Sequence, residues 1–241
     1  MSTIPRTPRG AALFIHGAGG GGWEWNRWRY AFDAAGWRTH APDLVPAPGG
    51  LARTTLDDYI AAVRAQAAAL ARPVLVGASL GGLIAAAIAR DVEAAALVLV
   101  NPVPPAGLDG PLETRDIVPW GRARSLAGTA RAMPDADDAS RLYAFRRWRD
   151  ESGAVLRAAR AGVTVAPPSC PLLVVASGCD DDVPAAASRA LAQAWQGELL
   201  ELPDASHTGP LLGRSANAVA AHTLNWLAKC TLQSVTSANR T

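Results

Sequence analysis

Short apolar runs alternate along this chain with longer segments that carry a helical pattern. The run Ala11-Ala12-Leu13-Phe14-Ile15 is typical of a strand buried on both faces, because it contains no polar position. Further strands are predicted at residues 37–41, 74–76, 97–100, 172–175 and 199–202. Helices are predicted at residues 25–35, 55–71, 80–90, 185–195 and 216–229. Apolar strands that alternate with helices indicate an α/β fold, with a mostly parallel twisted sheet and helices on both faces.

Residues 104–168 interrupt this alternation. Prolines mark both ends of the stretch, and its interior has a helical pattern with few strand signals. We interpret it as an inserted cap of two to four helices over the sheet. Residues 1–103 and 169–230 would then form the core of the fold. The small, polar residues 231–241 are expected to form a flexible tail.

Composition excludes several classes of protein. The chain is 49% hydrophobic and 18% charged, which excludes global disorder. Its net charge of +2 gives no reason to expect a nucleic acid or an anionic membrane as partner. No apolar run approaches the ~18 residues of a membrane span, and the N-terminus lacks the apolar run of a signal peptide. Cys170, Cys179 and Cys230 have no C-x-x-C spacing, so we expect reduced thiols and a cytoplasmic protein.

The strongest chemical motif is Gly77-Ala78-Ser79-Leu80-Gly81, which fits G-x-S-x-G. It follows a predicted strand directly and precedes a predicted helix, the setting of a nucleophile elbow. The glycines let neighbouring backbone approach a strained serine, and the helix N-terminus favours negative charge beside it. The alternative is an ordinary Ser/Gly turn that caps a helix. We favour Ser79 as a nucleophile.

A serine nucleophile needs a base, and the base needs a partner that orients it. His207 is the best candidate base, because it lies in a small, polar loop after the last predicted strand. His40, within a strand, and His222, within a helix, are expected to be structural. The acid should come from Asp180, Asp181 or Asp182, which follow the strand at 172–175; we favour Asp180, with Asp181 as the alternative.

The glycine-rich run after the first strand supports two interpretations. Gly17, Gly19 and Gly22 fit G-x-G-x-x-G, and Asp43 lies 21 residues further on, which is typical of a dinucleotide site. The same run could instead form an oxyanion-hole loop, in which a backbone N–H faces the substrate oxygen. We favour the second interpretation, because the first leaves Ser79 and the acid and base without a role.

Together these residues resemble the α/β-hydrolase superfamily over residues 11–230. The chain order Ser79, Asp180, His207 and the His16-Gly17 pair after a strand carry the resemblance. The segments 23–25 and 101–105 look like its small single-domain branch, which includes esterases and hydroxynitrile-lyase-like proteins. The resemblance implies that the backbone N–H groups of Ala18 and Leu80 form the oxyanion hole.

Two features depart from that family pattern. The strand at Ala11 is the first in the chain, so the two leading antiparallel strands usual in the family are shortened or missing. Ala78 stands where many members have His, which would alter the wall of the pocket and leave the triad intact.

These observations predict a serine hydrolase that cleaves a small or medium carboxylic ester, with neither metal nor organic cofactor. Trp23, Trp25 and Trp120 are candidate walls of the substrate pocket, although each could equally pack in the core. A lyase or cyclase with the same triad, a non-catalytic ligand receptor and a dinucleotide-binding oxidoreductase are the alternatives. A small molecule is the expected partner, and nothing in the sequence indicates an oligomeric state.

Overall fold

A computed structural model describes residues 9–238 of the chain. Six strands form one parallel sheet in the order β2-β1-β3-β4-β7-β8. Their bounds are β1 Ala11–Ile15, β2 Arg38–His40, β3 Val74–Ala78, β4 Ala96–Val100, β7 Leu172–Cys179 and β8 Glu198–Ser206. This sheet confirms the α/β fold class predicted from the sequence. Strands β7 and β8 are longer than predicted. Both continue beyond their apolar runs into more polar residues, which the prediction left out.

Helices cover both faces of this sheet. Those of the core are α1 Asn26–Ala34, α2 Leu56–Ala68, α3 Leu80–Ile88, α7 Ala185–Ala194, α8 Gly209–Leu212 and α9 Ala216–Ala238. Helices α2, α3 and α7 bury apolar side chains on one face, and α1, α8 and α9 do so on the other. Strands β1, β3 and β4 are buried on both faces and have no polar side chain, which explains why the centre of the sheet could be predicted, whereas the edge strands β2 and β8 are mostly exposed.

Residues 104–168, the expected cap, lie between β4 and β7. They contain helices α4 Leu126–Ala132, α5 Asp138–Phe145 and α6 Gly153–Ala161. They also contain a feature that the sequence did not predict, a short antiparallel pair of β5 Ile117–Val118 with β6 Glu151–Ser152. Each of these strands has only two residues, too few for a periodic pattern.

The expected flexible tail at 231–241 stays a prediction. Helix α9 continues through Ala238, and residues 239–241 lie outside the described residues. Along residues 9–238, no helix combines the length and the apolar character that crossing a bilayer requires. Cys170, Cys179 and Cys230 form no disulfide in this part of the chain. The cytoplasmic location stays a prediction.

Candidate active site

Ser79 occupies a sharp turn between β3 and α3. Its φ of +53° is left-handed, a conformation that costs a non-glycine residue about 1–3 kcal/mol. The turn requires glycine at positions 77 and 81. A Cβ on Gly77 would collide with the carbonyl of Gly81, and a Cβ on Gly81 would collide with the carbonyl of Ile15. The Ser79 N–H donates to the carbonyl of Val100 at 3.0 Å. The turn therefore has the geometry of a nucleophile elbow at the carboxyl end of the sheet.

Asp180 and His207 meet at the same end of the sheet, where β7 and β8 finish. The Asp180 Oδ2 atom accepts a hydrogen bond from His207 Nδ1 at 2.7 Å, and the Asp180 side chain is only 1% exposed. The other oxygen of Asp180 accepts the N–H groups of Asp182 and Val183. The structure thus brings Asp180 to the histidine, while Asp181 is exposed and Asp182 lies on the cavity wall.

Asn101, which follows β4, holds the histidine from the other side. Its Nδ2 donates to the backbone carbonyl of His207 at 2.8 Å and to Ser177 Oγ at 2.9 Å. Its Oδ1 accepts the Ser177 N–H at 2.9 Å. Asn101 is buried and has a φ of +44°, a left-handed conformation that asparagine tolerates better than most residues. The residue fixes the end of β8 against its neighbouring strands.

The glycine loop, residues 17–22, runs beside Ser79. Within the described residues, the N–H groups of Gly19, Gly20 and Gly22 have acceptors, at Glu151, Gly17 and Asp43, and that of Ala18 has none. The Leu80 N–H belongs to the first turn of α3, which has no intrahelical acceptor. Both N–H groups named for the oxyanion hole are therefore available to a ligand.

The cap anchors the glycine loop. Glu151 accepts the Gly19 N–H at 3.0 Å, and the same carboxylate binds the hydroxyl of Tyr59. Arg149 donates from its backbone to the Gly19 carbonyl at 2.8 Å and from Nε to that of Gly20 at 2.6 Å. These bonds hold the loop in one conformation.

The cap also binds the residues on either side of His207. Asp135 accepts the hydroxyl of Ser206 at 2.6 Å and its N–H at 3.1 Å. Thr208 donates to the carbonyl of Ala132 at 3.0 Å. The insertion therefore contacts both loops of the site.

Asp43 and His16 complete the support of the glycine loop. Asp43 accepts the Gly22 N–H at 2.8 Å and pairs with Arg149 at 3.3 Å, so its carboxylate is engaged within the protein. This use of Asp43 argues against the dinucleotide interpretation, which needs that carboxylate for a ribose. His16 donates from Nδ1 to the Gly17 carbonyl at 2.7 Å and accepts the N–H of Leu44 at Nε2.

One cavity of about 820 Å³ opens over these groups. Ser79, His207 and Ala18 line its floor, and the cap supplies most of its walls. Apolar residues of the lining include Val103, Leu108, Leu112, Leu156, Val183 and Leu211. A volume of this size is typical of small-molecule sites.

Two of the three predicted tryptophan walls were wrong. Trp25 is fully buried against Phe14 and Trp28, because the 3-10 turn that precedes α1 aims it into the core. Trp23 lies behind the cavity wall and packs edge-on against Trp148, with ring centroids 5.3 Å apart. Trp120 does line the cavity, as does Trp148, which the sequence analysis missed.

The surroundings of the two histidines give them opposite pKa shifts. Burial lowers the pKa of His207, but the hydrogen bond to Asp180 and the nearby carboxylates, Asp180 foremost, outweigh it, so the net shift is upward. Burial lowers the pKa of His16 to about 4, so that His16 stays neutral at physiological pH. His207 is therefore suited to taking up a proton, and His16 to a structural role.

The only set of side chains in residues 9–231 with the spacing of metal ligands consists of Asp180, Asp182 and His207. Their ligand atoms lie within 4.8 Å of one another. Asp180 and His207 already bind each other, which leaves Asp182 as the one acid of the set without that engagement. The donor set therefore fits an acid–base pair better than a metal centre.

Sequence reasoning also missed Glu24, Arg149 and Glu151, of which the last two carried no recognisable signal. Arg149 and Glu151 lie about 130 positions from the loop they bind. Glu24 also lines the cavity and is buried. Its position between two tryptophans after a glycine run was a usable signal, since an acid in apolar surroundings is rarely without a role.

Comparisons with known proteins agree with this fold. A rice protein (Oryza sativa subsp. indica), "Probable esterase PIR7A", is 42% identical over 105 residues, a match that spans 39% of this chain and 40% of that protein. The structure of a pyrethroid hydrolase from Sphingobium faniae JZ-2 is similar with a TM-score of 0.69 and 22% identity, over 91% of this chain and 97% of that one. Tomato methylketone synthase I, solved with 2-tridecanone, has a TM-score of 0.73 and 15% identity, over 92% and 99% of the two chains.

The sequence also matches a family model over most of its length. The model describes the alpha/beta hydrolase family and matches residues 12–222. The match confirms the resemblance drawn from the elbow and the order of the acid and base, and the chain belongs to the alpha/beta hydrolase family.

Proposed function

We propose that this protein is a serine esterase that cleaves a small or medium carboxylic ester through an acyl-enzyme. One observation carries the proposal: the strained Ser79 elbow and His207, which Asp180 binds at 2.7 Å, border a single cavity. A buried carboxylate that orients a histidine in the same cavity as a partly exposed serine is the arrangement that activates a hydroxyl.

In the proposed reaction, His207 Nε2 removes the proton of the Ser79 hydroxyl as Ser79 Oγ attacks the ester carbonyl carbon. The alcohol leaves with the proton that His207 returns, and Ser79 carries the acyl group. Water then attacks the acyl-enzyme with His207 again as the base, which releases the acid and restores Ser79. Asp180 holds the imidazole and stabilises its charged form throughout.

The Ala18 and Leu80 N–H groups would bind the oxyanion of both tetrahedral intermediates. Each such donor is worth about 3–4 kcal/mol of transition-state stabilisation. These donors lie in the backbone, so their geometry depends on the residues that hold the glycine loop.

The cavity supports an ester with an apolar acyl or alcohol part. Its walls carry aliphatic side chains together with Trp120 and Trp148. Burial of such a group removes apolar surface from water at roughly 25 cal/mol per Å². We therefore expect tighter binding as the chain of the ester lengthens, until the cavity is filled.

A fluorophosphonate probe followed by mass spectrometry tests the proposal. We expect an adduct on Ser79 and none in Ser79→Ala. Turnover of a panel of p-nitrophenyl esters should fall by about a millionfold in both Ser79→Ala and His207→Ala. His222→Ala is the matched control, because this exposed histidine lies on α9 outside the site. A folded protein that gives no adduct and hydrolyses no ester would contradict the proposal.

A lyase with the same triad is the second candidate. The observation that favours it is Glu24, a second acid that lines the cavity with His207. Such an enzyme would turn over a substrate without covalent capture of Ser79. Trapping of a radiolabelled acyl group on Ser79 by rapid acid quench separates the two, since only the esterase accumulates it.

A further inference from the structure

Glu24 is a buried acid in the cavity wall that the esterase steps above do not use. Glu24 is 6% exposed and lines the same cavity as Ser79. Its carboxyl faces the backbone of Gly17 and lies against Gly20, where a Cβ would collide with the carboxyl oxygens. The acid therefore packs against the glycine loop, which also carries the Ala18 N–H.

This position puts Glu24 close to the reacting atoms. Gly17 of the same loop packs against the nucleophile, because a Cβ on Gly17 would lie 3.2 Å from the Ser79 Cβ. The oxyanion would form between Ser79 and the Ala18 N–H. A negative charge on Glu24 would consequently act on the oxyanion from the cavity wall, where the effective dielectric constant is lower than in bulk water.

The charged groups that face Glu24 come from three parts of the fold: Arg149 of the cap, Asp43 after β2 and His207 after β8. Arg149 lowers the pKa of Glu24 and Asp43 raises it, because their charges have opposite signs. The two side chains pair at 3.3 Å, so both charges lie on the same side of the site. Burial raises the pKa of Glu24 to about 8, and the Gly17 N–H, His207 and Arg149 act on this pKa in the opposite direction. His16 lies beyond Arg149 and stays neutral.

We propose that Glu24 is a positioning residue that functions as a neutral carboxylic acid, supporting the glycine loop at Gly20 without placing a negative charge beside the oxyanion. The inference rests on the proposed esterase function. Loss of the Glu24 proton would then slow the attack of Ser79, so that the site is switched off at alkaline pH.

A charged Glu24 would also attract the imidazolium of His207, which has the opposite effect on the rate. His207 already has Asp180 at 2.7 Å as its counter-ion, so a second carboxylate adds little. The oxyanion, in contrast, is stabilised by backbone dipoles alone. Repulsion of the oxyanion therefore decides the sign, and the rate falls when Glu24 ionises.

The test is the pH dependence of Ser79 phosphonylation by the fluorophosphonate, and of p-nitrophenyl butyrate turnover, between about pH 6 and pH 10. In the unmodified protein both rates should rise as His207 loses its proton and then fall about tenfold per pH unit above about 8. Glu24→Gln keeps the size and shape of the side chain against Gly20 and has no charge at any pH. Its rate at about pH 9.5, relative to its own rate at about pH 7.5, should exceed the same ratio of the unmodified protein by tenfold or more.

A second uncharged variant and a spectroscopic measurement keep the test independent of a folding defect in Glu24→Gln. Glu24→Met must also lose the decline of the rate at alkaline pH. Glu201→Gln, in which an exposed acid is neutralised, must keep that decline. Infrared difference spectra of the unmodified protein must lose the band of a buried protonated carboxyl between about pH 6.5 and pH 9.5. An alkaline decline that survives in Glu24→Gln, or no decline in the unmodified protein, would overturn the role of Glu24. Absence of Ser79 labelling at every pH would instead overturn the esterase function, and this inference with it.

Discussion

The side-chain amide of Asn101 donates a hydrogen bond to the backbone carbonyl of His207 at 2.8 Å. Asn101→Ala would leave that carbonyl without its donor and release the end of β8. We expect kcat for ester hydrolysis to fall about 10- to 100-fold with little change in KM, since a misplaced base weakens the transition state more than substrate binding.

Ser177→Ala is the matched control for Asn101. It removes one partner of the Asn101 amide and leaves the bond to His207 in place. An equal loss of kcat in both variants would mean that Asn101 acts through general stability and not through the position of His207.

Asp180→Asn should lower kcat by about 10⁴-fold, because the amide no longer fixes the tautomer of His207. It should also move the acid limb of the pH–rate profile. In the unmodified protein, Asp180 contributes to the raised pKa of His207, so the neutral base forms only above the ordinary range of histidine. Without that carboxylate, burial lowers the pKa, and the limb should shift to lower pH.

Asp181→Asn provides the comparison for that experiment, because Asp181 is the exposed neighbour of the buried acid. We expect its kinetics to match the unmodified protein within about twofold. A large loss of kcat in Asp181→Asn with a small one in Asp180→Asn would show that Asp181, and not Asp180, is the acid of the triad.

Glu151→Ala should weaken the oxyanion hole from a distance. The change leaves the Gly19 N–H without its acceptor, and a lost hydrogen bond to a charged group costs about 1.5–3 kcal/mol. We expect the second-order rate of Ser79 phosphonylation to fall at least tenfold. Tyr59→Phe removes only the phenol that shares the carboxylate, so its labelling rate should change much less. Equal losses would show that the whole cluster acts as a unit.

Glu24→Gln should change stability in a pH-dependent way. The carboxyl has a folded-state pKa of about 8 and an ordinary value of 4.5, so its contribution is complete below 4.5 and is lost as pH rises toward 8. The advantage of the glutamine variant in unfolding free energy should therefore grow by about 4 kcal/mol between those pH values. Urea unfolding of both proteins at a series of pH values measures this difference. If the unfolding free energies of the two proteins change in parallel with pH, the raised pKa of Glu24 is contradicted.

The parts of the fold that the sequence predicted are those with a local signal. Strand β3 has no polar side chain, and Ser79 follows it inside a motif whose glycines have a steric cause. Asp180 and His207 could be found because each follows a strand of a parallel sheet, whose carboxyl ends share one edge. Continuous apolar runs indicate the strands, and apolar residues with a period of 3.6 indicate the helices. Both signals can be recognised without knowledge of distant contacts.

Contacts between distant residues could not be predicted in this way. Trp25 was expected in the cavity, and only the direction of the turn before α1 sends it to the core. Glu151 reaches Gly19 across 132 positions, and it does so from a two-residue strand that has no period. The direction of a side chain and the partner of a cap residue depend on tertiary packing, which no local pattern records.

The cap binds both loops of the site, through Glu151 at Gly19 and through Asp135 at Ser206. Such an insertion is not an interchangeable module. A chimera that replaced residues 104–168 with the corresponding segment of another family member would have to import equivalent acceptors, or it would lose catalytic geometry together with specificity. Evolution or engineering of the substrate range in this scaffold should therefore proceed by point changes on the cavity wall, with those two carboxylates retained.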